Sequence, residues 1–292
     1  MVEKLDISGR ALLVGLRIRV WSGEKRDKKV TREICEAKGA ADKSLRASKS
    51  LLGDSIKPVQ VAESALRDYA NERTLPFMDN GLRIIRSSKV QEFKLGMMEP
   101  ERAFTRAVSM FIADYATTKE RARTTLGLAY SDADFPGAHE LPGRFGVDTT
   151  FLPMPRADDF RIAMTEDEME MVRNSCEGAM RDSVRDAVMR AVGQLRKPIA
   201  LMTERLRGYG KDGQGKAVGI FRDTLVENIR SVIDLAPHLN VTDDPRIDAV
   251  VFEMKKHLAV HEGDALRVSP HLRDEVATQA ERILKQMDGA FF

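Results

Sequence analysis

Between Thr165 and Leu206 apolar residues recur at helical spacing: Val172, Cys176, Ala179, Ala187, Ala191, Leu195, Ile199, Met202 and Leu206. A seam sustained for about six heptads dictates a long amphipathic helix whose stripe must be covered by other helices. Thr165 and Glu168 have capping-box spacing, and Glu166, Asp167 and Glu170 suit the positive end of a helix. Pro198 predicts a kink. A second helical pattern follows Pro100, carried by Phe104, Val108, Phe111, Tyr115, Ala122 and Leu126. Two such helices separated by a proline- and glycine-rich excursion predict an antiparallel helical hairpin. The excursion itself has strand-like patches at Val147–Leu152 and Phe160–Ile162.

The flanking regions read differently. "LRIRVW" alternates Leu16, Ile18 and Val20 with Arg17, Arg19 and Trp21, a half-buried strand. A short helix capped by Asp27 follows, with Val30, Ile34 and Ala37 inward, then a helix starting at Pro58. Asn80-Gly81 between apolar segments predicts a hairpin that joins the early strand in one small sheet. Towards the C-terminus, Phe221, Leu225, Ile229 and Val232 share one helical stripe, and Asp244-Pro245 and Ser269-Pro270 are helix starts. The expected fold class is therefore mainly α (α+β): a long antiparallel helical hairpin, a small N-terminal β-sheet and a C-terminal helical bundle. The corresponding divisions are a mixed α/β basic region at 1–99, the hairpin at 100–207 with its excursion at 129–164, a glycine-rich linker at 208–219, and the bundle at 220–292.

Composition agrees with this reading. Of the 292 residues, 32% are charged and only 6% aromatic, which suits solvated helices better than a β-sandwich. No apolar run approaches the ~18 residues of a membrane span, and Arg17 and Arg19 interrupt the N-terminal apolar stretch. The expectation is a cytoplasmic protein with no membrane partner. Cys35 and Cys176 lack metal-ligand or CxxC spacing and read as two thiols in a reducing compartment.

Few residues carry the marks of catalysis. Gly210, Gly215 and Lys216 have phosphate-loop spacing, but a helix precedes them, and Ala217 stands where Ser or Thr would hold magnesium. They read as a linker, so no nucleotide cofactor is expected. Glu253, His257 and His261 recur at i, i+4 and i+8, a weak metal candidate because zinc sites take three or four protein ligands. There is no nucleophile elbow. Paired acids at Asp132/Asp134 and Asp158/Asp159 leave a metal-dependent nuclease as a third reading. The main expectation is a protein without enzymatic activity.

Charge is the sharper signal. Residues 1–128 hold 25 basic and 17 acidic side chains, and residues 129–292 hold 22 and 28. The stretch "RIRVWSGEKRDKKVTR" concentrates Arg17, Arg19, Lys25, Arg26, Lys28, Lys29 and Arg32 around Trp21. Such cations neutralise phosphates, and an adjacent ring stacks on unpaired bases. DNA or RNA is therefore the first expected partner, bound by an oligomer. A protein partner, or self-association through the long helices, is the alternative.

The stretches "WSGEKRDKKVTREI", "TLPFMDNGLRII", "DADFPGAHELPGRFG", "FLPMPRADDFRI", "FRDTLVENIRSVIDLAPHLNVTDDP" and "ERILKQM" occur in an order that resembles a family of phage and prophage proteins with no established activity. This chain has Phe77-Met78 where that family usually shows Trp-Gly. The resemblance implies a phage context and a host-cell cytoplasmic location. It supplies no catalytic residues.

Overall fold

The computed structural model describes residues 9–41, 44–78, 81–155, 166–211, 217–218 and 224–292. In chain order these form β1 (Ala11–Arg19), β2 (Glu24–Arg26), α1 (Lys28–Lys38), β3 (Ser48–Ser50), α2 (Lys57–Arg73), β4 (Leu75–Phe77), β5 (Leu82–Arg86), α3 (Val90–Ala113), α4 (Tyr115–Leu126) and β6 (Gly146–Pro153). There follow α5 (Glu166–Gly208), β7 (Gly210–Lys211), β8 (Ala217–Val218), α6 (Thr224–Leu239), α7 (Pro245–His257), α8 (Gly263–Val268) and α9 (Pro270–Phe291). The fold is mainly α, with one four-stranded antiparallel sheet ordered β4-β5-β1-β6. Two compact units share the chain: residues 1–15, 71–92 and 150–292 form the first, and 16–70 and 93–149 the second.

In the first unit the hairpin signal is realised. β4 pairs antiparallel with β5 from Leu75 opposite Ile84 to Phe77 opposite Leu82, and Gly81 has a positive φ of 78°, open to glycine at no steric cost; Asn80 of the turn signal lies outside the described residues. β5 in turn pairs with the first half of β1, Ala11 facing Arg86 and Gly15 facing Leu82. Leu13, Leu75, Phe77 and Ile84 from this sheet pack with Val184, Ala187 and Ala191 of α5. The two alanines keep the helix surface low enough for close approach to the sheet.

Beyond Ala191 the seam changes partner. Leu195, Ile199, Met202 and Leu206 enter a helical core with Ile229 of α6, Met254 of α7 and Ile283 of α9. Arg196 pairs with Asp288 at 3.1 Å, while Arg207 pairs with Glu281 at 2.8 Å and with Asp274. Ascending α5 thus meets descending α9, so the two run antiparallel. The seam finds its antiparallel partner in α9, whereas α4 and all but the first residues of α3 belong to the second unit. Periodicity identifies an apolar stripe but carries no address for what covers it.

Four further readings change. The seam's start differs: Val172 and Cys176 are only half-buried, Ala179 is exposed, and full burial begins at Val184. The second helical run starts at Val90, with Pro100 inside α3. Pro198 likewise lies within a continuous α5. Helix α1 buries Thr31 and Cys35, leaving Ile34 39% exposed and Ala37 exposed. Its rotation follows a polar contact: Thr31 Oγ1 donates to the Asp27 carbonyl at 2.5 Å and accepts from the Ala47 amide at 3.1 Å. The Phe160–Ile162 patch, Thr165 of the capping box, Asp158/Asp159, Gly215, Lys216 and Phe221 lie outside the described residues.

Candidate nucleic-acid interface

The basic stretch occupies the second unit. After β1, β2 pairs antiparallel with β3 and leads through Asp27 into α1. The Asp27 carboxylate accepts from the amides of Lys29 and Val30, both at 3.0 Å, and so caps the helix. Lys25, Arg26, Lys28, Lys29 and Arg32 fall within these eight residues, and all are exposed. Arg17 and Arg19 are exposed at alternate positions of β1.

The β-ribbon register places Lys25 directly opposite Lys49. Like charges in a cross-strand pair repel, and Asp134 resolves the conflict. Its carboxylate, 8% exposed, lies 2.6 Å from Lys25 Nζ and 2.5 Å from Lys49 Nζ. Lys49 also contacts Asp27 at 3.4 Å and donates to the Ala129 carbonyl at 2.8 Å. The hydrogen bonds from Lys25 and Lys49 hold the Asp134 carboxyl below the usual range, and Asp134 in turn raises Lys49. Asp27 is lowered first by the Val30 amide. Lys25 is therefore already neutralised from within the protein.

Other members of the stretch also have partners. Arg19 lies 3.6 Å from Asp148, with its guanidinium against Gly146. Half-buried Trp21 meets Tyr115 edge-on at 6.2 Å, and the Arg144 guanidinium stands over its ring at 5.6 Å. A stacked base would have to displace that guanidinium. Burial pushes the Tyr115 hydroxyl up to about 12, and the group donates to the Pro136 carbonyl at 2.9 Å. Among the described residues, Arg17, Arg26, Lys28, Lys29 and Arg32 have no ion pair, which leaves their charge available to an outside anion.

Sequence reading missed Lys49, Asp134 as their common acceptor, and Arg144. Asp134 is marked in the sequence only as one of a pair of acids with Asp132, whereas here it faces Lys25 and Lys49 and Asp132 faces Lys119 and Arg123; Lys49 and Asp134 meet only through tertiary structure. The structure also modifies the charge asymmetry. The second unit holds 20 basic and 16 acidic residues, a smaller excess than the N-terminal part of the chain shows, mainly because residues 129–149 bring it four acids and a single base.

The weak metal candidate does not assemble. Helix α7 ends at His257, so His261 leaves its face, and Glu253 accepts from Arg282 at 2.5 Å. No group of three potential metal ligands occurs among the described residues. No helix among them is long and apolar enough to cross a membrane. The described surface is thus that of a mainly α protein presenting a cationic ribbon-and-helix edge. No family model, curated protein or solved structure matches the chain.

Proposed function

We propose that this protein is a non-enzymatic nucleic-acid-binding protein that holds phosphates with the ribbon-to-helix edge at residues 17–32. The observation that carries the reading is the start of α1. Its first turn contains no acid and instead presents Lys28 and Lys29, with Arg32 one turn on. Cations at a helix N-terminus oppose the helix dipole by roughly 0.3–1 kcal/mol each. The Asp27 carboxylate already takes the Lys29 and Val30 amides, so what this helix start offers an outside phosphate is the exposed charge of Lys28, Lys29 and Arg32 themselves, unpaired among the described residues. Arg26 and Arg17 extend the surface, whereas Lys25, Arg19 and Trp21 serve mainly to hold it in place. Binding by phosphate neutralisation falls steeply with salt because counterions are released.

The test is a titration of labelled single- and double-stranded DNA at two salt concentrations, with and without magnesium. Salt-sensitive binding without cleavage supports the reading, and absence of binding at low salt overturns it. A second reading, a helical scaffold or adaptor, is favoured by one observation. The first four turns of α5 are largely exposed, including Met171 at 69%. A pull-down with the intact chain in which Met171→Glu abolishes capture of one defined protein would support that alternative.

A further inference from the structure

The second unit also contains a groove of about 530 Å³ between the start of α2 and the faces of α3 and α4. That size lies within the ~300–1,000 Å³ typical of small-ligand sites. Ala103 and Ala107, one helical turn apart, and Pro58 keep the groove open, and buried Phe111 contributes an aromatic surface. Met110 stands in the groove 73% exposed, an unusual position for a large thioether. The lining is therefore chiefly apolar.

Five polar residues depart from it: Ser55, Arg106, Asp114, Thr118 and Arg121. Thr118 is 2% exposed, and its Oγ1 finds no hydrogen-bond partner among the described residues. Arg106 comes from α3 and Arg121 from α4. Each already faces a carboxylate of the protein, Arg106 that of Glu99 at 3.0 Å and Arg121 that of Asp114 at 3.4 Å. Both pairs are solvent-exposed, so they are weak and readily exchanged. An unsatisfied buried hydroxyl, by contrast, is costly.

We infer that this groove binds a small carboxylic acid with an apolar body, its chain lying over Ala103, Ala107 and Phe111 and its carboxylate meeting Arg106, Arg121 and the Thr118 hydroxyl. The single ligand carboxylate takes the place of two exposed protein carboxylates, those of Glu99 and Asp114, which must turn to solvent, and the orphaned hydroxyl gains an acceptor. The site uses none of the cations assigned to phosphate binding, so the two activities stand or fall separately.

Calorimetric titration of the full chain with decanoate, and with decylammonium as the opposite-charge control, tests the assignment. Decanoate is expected to bind and decylammonium to bind at least tenfold more weakly. Thr118→Val is expected to weaken decanoate about fivefold, with Thr118→Ser restoring most of the affinity. Ala107→Phe, which fills the groove, is expected to abolish binding, and circular dichroism checks that both variants remain folded. If either variant unfolds, Arg121→Gln at the exposed rim takes its place, with an expected loss of about fivefold. Equal affinity for the two probes, no decanoate binding, or unchanged affinity in the folded variants overturns the assignment.

Discussion

Lys28 and Lys29 offer a test in which stability and binding move in opposite directions. Replacing both by Glu supplies the acids that the first turn of α1 lacks, so the folded state is expected to gain roughly 0.5–1 kcal/mol in total. Nucleic-acid affinity is expected to fall at least tenfold at low salt, with a shallower salt dependence. Thermal melting and a DNA titration of the same variant read both effects. Unchanged affinity would remove the helix start from the interface. Lys49 behaves in the reverse manner, because its charge is needed inside. Lys49→Met leaves Asp134 and Asp27 with less compensation and is expected to destabilise the protein by about 1–3 kcal/mol. Trp21, the chain's one tryptophan, lies in the same unit and reports the loss through its fluorescence. The cationic stretch was legible from the sequence because exposed charge leaves a compositional trace. Which of its members are spoken for was not, since Asp134 is 109 positions from Lys25 along the chain.

Local chemistry placed most helices. Asp27, Asp244 and Ser269 each accept from an amide in the first turn of α1, α7 and α9, respectively. Ser269→Ala is therefore expected to cost about 1 kcal/mol, measured by chemical denaturation. The contact between α2 and α3 is a packing matter. Tyr69 lies against Gly96, where an added Cβ would be 1.8 Å from the phenolic oxygen. Gly96→Ala, which favours an isolated helix by roughly 1 kcal/mol, is expected here to lower stability by about 1–3 kcal/mol. The double variant Gly96→Ala/Tyr69→Ala should recover part of that loss relative to Tyr69→Ala alone. A Gly in a helical pattern reads as a mild defect from the sequence, and only the neighbouring ring reveals why it is there. Pro100 misled in the same way. It resembles a helix start, yet Val90–Pro100 already forms the first turns of α3.

At the scale of the whole molecule, two pH windows should be visible. His238, 3% exposed on α6, faces Glu92 through Nε2 at 3.0 Å, while its Nδ1 has no partner among the described residues. Burial lowers its pKa below 6.5, against the smaller opposing effect of Glu92, and Lys89 and Arg73 add to the lowering. The unfolded chain therefore takes up a proton before the folded one does, and stability falls as the pH drops below about 6.5. His238→Gln should flatten this part of the melting-temperature profile. Asp134 and Asp27, both depressed below 3.8, contribute stability that is present above that value and lost as acid protonates them. The sequence by itself determined the helical class, the caps, the hairpin turn and the exposed cationic stretch, because period, turn chemistry and charge act over a few residues. Only the tertiary structure decided that α5 pairs with α9, that the chain interleaves into two units, and that a buried aspartate unites two facing lysines. Those outcomes depend on which surfaces bury each other, and apolar stripes and opposite charges are interchangeable until the chain brings particular ones together.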